Sequence, residues 1–234
     1  FRAMIDTLVD ETLARGMYCI IDWHILHPGD PWANLAGAKE FFAYMSARHG
    51  GKKYVLYEIC NEPNGKKATW ARIKSYAEQI IPIIRKNDSD GIILVGTPDW
   101  SSLGKSGRSA GKGLLASPLT GTLARNVMYS FHFYAGSHKA DYRKHFTAFA
   151  AKLPLFVSEW GCQQHTGDGR NDVASSTEWM RLLDRHKISW CYWNYSDDHR
   201  SGAVWKKGTL PRGPLTDANL KESGRLVKKW VRRE

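Results

Sequence analysis

Long apolar runs and paired cysteines are both missing from this sequence of 234 residues. No stretch approaches the roughly 20 apolar residues that cross a bilayer, and the first residues lack a signal-peptide pattern. The four cysteines are too few and too scattered for a disulfide scaffold, and none forms the CxxC pair of a metal or redox site. The sequence therefore predicts a soluble chain with buried thiols and no membrane association.

Acidic side chains are in the minority, 23 against 34 basic ones, so the formal net charge is +11. The basic residues are dispersed, which argues against a nucleic-acid partner. They cluster only in the C-terminal segment KESGRLVKKWVRRE, where apolar residues at helical spacing predict an amphipathic helix with a solvated basic face. With 42% hydrophobic residues, residues 1–234 are predicted to form a single domain.

Short β-rich runs alternate with helical patterns along the whole chain. The helical patterns follow an N-terminal helix and lie at 36–48, 68–85, 139–152, 172–186 and near 217–233. The strand-like runs lie at 17–22, 54–60, 91–96, 127–133, 154–159 and 188–194. Because parallel strands need crossover connections, this order predicts an α/β fold with a parallel sheet of six strands.

Polar or aromatic residues cluster where these strands end. The second run ends in Asn61-Glu62-Pro63, and the fifth ends at Glu159, followed by Trp160. In a parallel α/β barrel or open sheet the carboxyl ends of the strands share one face, and that face holds the functional site. A single glutamate is more often an isolated cap or ion-pair partner. Two strand-end glutamates beside aromatics favour catalysis.

Two facing carboxylates suit the hydrolysis of a glycosidic bond. One carboxyl gives a proton to the leaving oxygen, while the other, charged, attacks or stabilises the anomeric centre. Ten tryptophans and ten tyrosines supply flat apolar faces on which sugar rings stack. A metal site drawn from Asp22, His24 and His132 is a weaker alternative, because its two imidazoles come from separate strands and no HExxH spacing supports it. A serine hydrolase is also a weaker alternative, because the GxSxG match GRSAG at 107–111 lies in a Gly/Ser/Lys-rich loop and not directly at the end of a β-rich run.

Five segments, in order, resemble glycoside hydrolase family 5, in particular its bacterial endo-β-1,4-glucanase (cellulase) branch. They are IIDWHIL, YEICNEPNG, SFHFYAGSH, LFVSEWG and ISWCYWNYSDD, and the resemblance runs along nearly the whole chain. It implies a TIM-type (β/α)8 barrel and hydrolysis of cellulose-type β-glucans with retention of configuration, without a cofactor or metal. The implied partner is a β-1,4-linked glucan or cello-oligosaccharide, and the implied location is outside the cell.

The resemblance also implies roles for individual residues. Glu62 would be the general acid/base and Glu159 the nucleophile, with their carboxyl groups about 5 to 5.5 Å apart. Asn61 would bind the sugar 2-hydroxyl. The other residues that it implicates would orient the carboxylates (His132, Tyr134), line the same subsite (His24) or form stacking platforms (Trp193, and Trp100 on the leaving-group side).

Two departures from the family pattern matter for these expectations. The six strands match the family's third to eighth, so the first two βα units and the arginine that ends the second strand are missing from this sequence. Such a chain is either a fragment or a reduced barrel, and its open strand edges predict a homo-oligomer. Asp198 occupies the place of a substrate-binding lysine. Mannan, xyloglucan or mixed-linkage glucan therefore stays open as the substrate. Because the arginine is missing, a catalytically silent polysaccharide-binding remnant also stays open as the function.

Overall fold

A computed structural model describes residues 2–107, 111–210 and 212–233. Contacts between its Cα atoms divide the chain into two compact units. The first unit contains Phe1–Ser130 and Lys152–Leu155, and the second contains Phe131–Ala151 and Phe156–Glu234. Two strands contribute residues to both units.

The described part of the chain forms six strands, and each overlaps one of the predicted β-rich runs. They are β1 (Cys19–Asp22), β2 (Val55–Glu58), β3 (Ile92–Val95), β4 (Val127–Tyr134), β5 (Leu155–Gly161) and β6 (Trp190–Tyr192). β4 and β5 extend one and two residues beyond their predicted ends, so Tyr134 and Glu159 lie inside strands. β2 ends at Glu58, so the loop that carries Glu62 begins earlier than predicted.

The helices follow the predicted order. They are α1 (Arg2–Ala14), α2 (Leu35–His49), α3 (Trp70–Arg85), α4 (Pro98–Ser101), α5 (Lys112–Ala116), α6 (Ala140–Ala150), α7 (Val173–His186) and α8 (Glu222–Arg232), with 3-10 turns at Pro31–Asn34, Gly121–Ala124 and Asp217–Asn219. The short segments α4 and α5 were not predicted, and α4 is a turn with positive φ angles at residues 99–101 and not a regular helix. None of the described helices is both long and apolar enough to cross a membrane.

The strands pair in parallel, which confirms the predicted α/β class. In the first unit the order is β1-β2-β3-β4, with Ile21 opposite Tyr57 and Leu94 opposite Met128. In the second unit the order is β4-β5-β6, with Val157 opposite Trp190. Each parallel pair is joined by a crossover that includes a helix, so the carboxyl ends of the strands within a unit lie at one edge of its sheet.

Each unit buries its own apolar core. In the first, Phe42 of α2 and Ile73 and Ile80 of α3 are fully buried, and the Thr69 hydroxyl caps α3 by accepting from the Arg72 N–H. In the second, the rings of Phe133 and Trp179 stack with centroids 4.0 Å apart. The basic residues Arg225, Lys229 and Arg232 of α8 are exposed, as the amphipathic pattern predicts.

Candidate active site

In the first unit, the ends of β1 and β2 bring Asp22, His24 and Asn61 together. Asp22 Oδ2 lies 2.7 Å from His24 Nδ1, and the Asn61 amide Nδ2 lies 3.3 Å from His24 Nε2. Because the amide can only donate, His24 Nε2 accepts and its Nδ1–H donates to Asp22. Both ring nitrogens therefore have protein partners, which gives no support to the metal-site alternative. The chain of bonds fixes the orientation of the buried Asn61 amide.

Glu62 lies four residues beyond the end of β2, on a loop, and its side chain is half-buried. Several carbonyl groups of this loop accept hydrogen bonds. The Tyr76 hydroxyl donates to the Ile59 carbonyl at 2.8 Å, and Asn64 Nδ2 donates to the Glu62 carbonyl at 2.9 Å. The main chain on both sides of Glu62 is thus held by side chains from α3 and from the loop itself.

The short turn that follows β3 approaches this loop closely. A Cβ atom on Gly96 would lie 2.1 Å from the Cys60 carbonyl oxygen, so only glycine fits there. Asp99, Trp100 and Ser101 then follow with φ angles of 61°, 59° and 50°, a left-handed run of non-glycine residues. Each such residue costs roughly 1–2 kcal/mol relative to right-handed backbone. The run leaves the Trp100 side chain 45% exposed, in keeping with a stacking platform.

In the second unit, β4 and β5 bring Tyr134 and Glu159 together. The Tyr134 hydroxyl donates to Glu159 Oε1 at 2.5 Å, and both residues are buried. His132, two residues before Tyr134 on the same face of β4, has its Nε2 2.9 Å from the Ser158 hydroxyl. A short bond from a hydroxyl to a carboxylate is charge-assisted, so it favours the ionised form of Glu159 and fixes its direction.

Tyr134 is itself positioned by the segment that follows β4. Its backbone N–H donates to His138 Nδ1 at 2.9 Å. The His138 ring stacks on Tyr142 with centroids 4.1 Å apart, and its carbonyl accepts from the Trp179 indole N–H. The pKa of His138 is lowered to about 4, mainly by burial and secondly by the neighbouring His165. The imidazole therefore stays neutral near pH 7 and can keep accepting from Tyr134.

Trp193, the predicted platform beneath the sugar, follows the end of β6 and is 37% exposed. Its backbone N–H donates to the Trp160 carbonyl at 2.8 Å, and its peptide bond to Asn194 is cis. The Trp160 ring is fully buried and stacks on Phe133 with centroids 5.3 Å apart. The backbone of Trp193 is therefore bonded to a residue whose side chain is part of the buried aromatic core, while its own indole stays partly exposed.

Each unit thus assembles part of the predicted set. The first groups His24 with Asn61 and places Glu62 and Trp100 on neighbouring loops, and the second joins Tyr134 to Glu159. The catalytic and binding roles themselves remain predictions.

A model of the family "Cellulase (glycosyl hydrolase family 5)" matches residues 1–199. The chain belongs to glycosyl hydrolase family 5. The family resemblance of the five sequence segments is thereby confirmed. The chain is similar to Endoglucanase E-5 of Thermobifida fusca, 48% identical over 99% of this chain, and to Endoglucanase MaCel5A of a Microbulbifer species, 44% identical over 99% of it. The chain spans only 48% and 44% of these relatives' lengths.

Solved family 5 structures agree with the fold. The catalytic domain of Thermobifida fusca endoglucanase Cel5A (E5) superposes with a TM-score of 0.93 at 47% identity, over 98% of this chain and 74% of that one. A structure of that domain in complex with cellotetraose superposes equally well. The predicted fold class, α/β of the TIM-barrel type, is confirmed, and the described residues contain six of its strands.

One buried carboxylate of this family 5 chain was not among the residues predicted from the sequence. Glu58, the last residue of β2, is 4% exposed and accepts a hydrogen bond from the Ser130 hydroxyl of β4 at 2.5 Å. Its register partner is Asp22, so both strands end on a carboxylate. The acidic residue at the end of both strands is the sequence feature that could have indicated Glu58.

The second departure from the family 5 pattern, Asp198, lies in a loop that is held by a lysine. Lys221 Nζ donates to the carbonyl oxygens of Asp198 and Arg200 at 2.6 and 2.7 Å. Asp198 Oδ1 accepts from the Arg200 N–H at 2.8 Å. Asp198 therefore shapes its own loop through these bonds, a role that differs from the one the resemblance assigns to a lysine there.

Proposed function

We propose that this chain is a retaining endo-β-1,4-glucanase that hydrolyses cellulose-type β-glucans by double displacement. Membership of glycosyl hydrolase family 5 supports the reaction class. Relatives named endoglucanases at 48% and 44% identity, and a similar domain in complex with cellotetraose, support a β-1,4-glucan or cello-oligosaccharide as substrate.

The observation that carries the proposal is the bond between the Tyr134 hydroxyl and Glu159. A nucleophilic carboxylate must be ionised and aimed, and a buried carboxylate is neither unless donors satisfy it. The position of Glu159 inside a strand and the bond from the Tyr134 hydroxyl to one of its oxygens support this role. We assign Glu159 the attack on the anomeric carbon, which forms the covalent glycosyl-enzyme.

Glu62 is assigned the proton transfers. In the first step its carboxyl group protonates the glycosidic oxygen as the carbon–oxygen bond breaks and Glu159 attacks. In the second step the Glu62 carboxylate takes a proton from water, which displaces Glu159 from the anomeric carbon and restores the original configuration. A half-buried side chain on a loop suits a group that exchanges its proton with water in every cycle.

Sugar recognition is assigned to the surrounding side chains. Asn61, oriented through His24, binds the 2-hydroxyl of the sugar at the cleaved bond, and His132 helps to orient the carboxylates. The partly exposed indoles of Trp193 and Trp100 stack on sugar rings on the two sides of that bond.

The test is reducing-sugar release from carboxymethylcellulose by the wild-type chain and by Glu159→Gln. The variant keeps the side-chain volume but cannot form the glycosyl-enzyme, so activity falls by several orders of magnitude. Glu178→Gln, an exposed glutamate of the same unit, is the matched control and keeps its activity. Proton NMR of the first product is expected to show the β-anomer. A wild-type chain that binds the polymer without cleaving it would favour the silent remnant, and an α-anomer would exclude retention.

The Asp198 loop makes substrate preference a separate question. We propose glucan as the preferred backbone, with mannan, xyloglucan and mixed-linkage glucan as the alternatives. Initial rates on the four polymers at equal mass concentration test this directly, and a higher rate on any alternative would replace glucan.

Three further proposals concern the chain as a whole. We propose an extracellular location, because a polymeric glucan cannot cross a membrane.

We also propose that residues 1–234 act as one catalytic domain and associate through open strand edges. A single unfolding transition in calorimetry tests the first of these two, and size-exclusion chromatography with light scattering tests the second, with a clean monomer counting against association.

A further inference from the structure

The left-handed turn after β3 is bonded to the loop that carries Glu62. Ser101 Oγ donates to the Asn61 carbonyl oxygen at 2.6 Å. The backbone N–H of Trp100 donates to the Pro63 carbonyl oxygen at 3.0 Å. Because the Asn61 carbonyl belongs to the peptide group that ends at the Glu62 nitrogen, the first bond fixes the peptide plane from which Glu62 projects.

The Ser101 hydroxyl has protein partners both as a donor and as an acceptor. Ser101 is fully buried, and its Oγ accepts from the Thr97 N–H at 3.3 Å. A hydroxyl has one proton, so the proton of Ser101 is committed to Asn61. Its backbone N–H also donates to the Thr97 carbonyl at 3.1 Å, which fixes the turn around the side chain.

The left-handed backbone determines where this hydroxyl lies. Ser101 has a φ angle of 50°, and the two preceding residues have similar values. The same backbone run exposes the Trp100 side chain and turns the next side chain inward to the Glu62 loop. The same left-handed run thus presents the predicted stacking platform and holds the loop that carries Glu62.

We propose that Ser101 is a positioning residue for the general acid/base Glu62, acting through the Asn61 carbonyl. This inference rests on the proposed function. Ser101 touches neither substrate nor the reacting atoms. It sets the direction of the peptide plane before Glu62, so its loss weakens proton donation to the leaving group more than binding or nucleophilic attack.

Leaving-group dependence separates this role from a general structural one. A phenol leaving group needs a proton as the glycosidic bond breaks, whereas 2,4-dinitrophenolate leaves as a stable anion. A misplaced acid therefore slows the phenyl glycoside selectively. A loss of fold or of substrate binding slows both glycosides alike.

The experiment measures kcat/KM on phenyl and 2,4-dinitrophenyl β-cellobioside for the wild type, Glu62→Gln, Ser101→Gly and Ser102→Ala. Glycine suits a positive φ angle, so Ser101→Gly removes the hydroxyl without backbone strain. Ser102 is the matched control, because its buried hydroxyl bonds within the turn, to the Asp99 carbonyl, and not to the Glu62 loop.

We expect Ser101→Gly to lose roughly ten- to a hundredfold on the phenyl glycoside and to change little on the activated one. Glu62→Gln should show the same selectivity at larger size, and Ser102→Ala should show none. Equal losses on both substrates, or no loss, would overturn the inference while Glu62→Gln still supported the proposed function. A wild type that cleaves neither glycoside would overturn the proposed function and the role of Ser101 with it.

Discussion

The hydrogen bonds described around the two proposed catalytic carboxyls involve a side chain in one case and the main chain in the other. Glu159 lies in a strand, is 6% exposed, and is fixed through its own side chain by the Tyr134 hydroxyl. Glu62 lies on a loop, is half-buried, and is fixed through main-chain carbonyls at positions 61 to 63. A nucleophile needs a constant charge and direction, whereas an acid/base must gain and lose a proton. The difference in support follows the difference in task.

The sharpest way to break this comparison is to remove the acid/base side chain. Glu62→Ala should lower kcat/KM on phenyl β-cellobioside by roughly a hundred- to ten-thousandfold, because general acid catalysis contributes about that much. Azide should restore turnover on the dinitrophenyl glycoside by attacking the glycosyl-enzyme without base help, giving a β-glycosyl azide. Failure of azide to rescue, measured by product chromatography, would remove Glu62 from the base role.

The next prediction tests the hydrogen bond that supports the Glu159 side chain. Tyr134→Phe deletes a hydrogen bond to a charged group, worth about 1.5–3 kcal/mol, so kcat should fall roughly ten- to a hundredfold. Tyr129→Phe is the control, because Tyr129 is buried on the same strand and its hydroxyl accepts from the Leu119 N–H. Equal kcat values for the two variants would show that the bond does not serve catalysis.

A third prediction concerns the histidine behind Tyr134. Burial lowers the pKa of His138 in the fold to about 4, against 6.5 ordinarily, with His165 and Lys139 acting in the same direction and Asp141 against it. The unfolded chain therefore binds the proton first, and this group costs stability progressively as the pH falls from about 6.5 to about 4. Above that window it has no effect.

His138→Asn keeps an acceptor near the Tyr134 N–H but removes the titration. Melting temperatures measured from pH 4 to 7.5 should converge or cross toward low pH, since only the wild type loses stability through this group. Curves that stay parallel across the whole range would contradict the assignment.

The smallest effect tests the main-chain support of Glu62. Asn64→Ala removes the donor to the Glu62 carbonyl and a second bond to the Leu26 carbonyl. A neutral hydrogen bond contributes about 1 kcal/mol net, so kcat/KM should fall only severalfold. A loss as large as that of Tyr134→Phe, measured on the same substrate, would erase the contrast between the two kinds of support.

Much of this arrangement was predictable because it is local. β-branched and aromatic runs located the six strands, and their polar endings located Glu62 and Glu159. The bond between Glu58 and Ser130 was not predicted, because its partners are 72 residues apart and meet only through the sheet. The left-handed turn at Asp99 was not predicted either, since nothing in PDWSS signals a positive φ angle and the surrounding contacts determine it.

The most direct test of the central claim, that Glu159 is the nucleophile, is covalent trapping. A 2-deoxy-2-fluoro-β-cellobioside with a dinitrophenyl leaving group should glycosylate the wild-type chain and release dinitrophenolate, because the fluorine slows hydrolysis of the glycosyl-enzyme more than its formation. Peptide mapping by mass spectrometry is expected to locate the added fluorocellobiosyl mass on Glu159. The same mass on any other residue, or an active chain that never accumulates the adduct, would contradict the account.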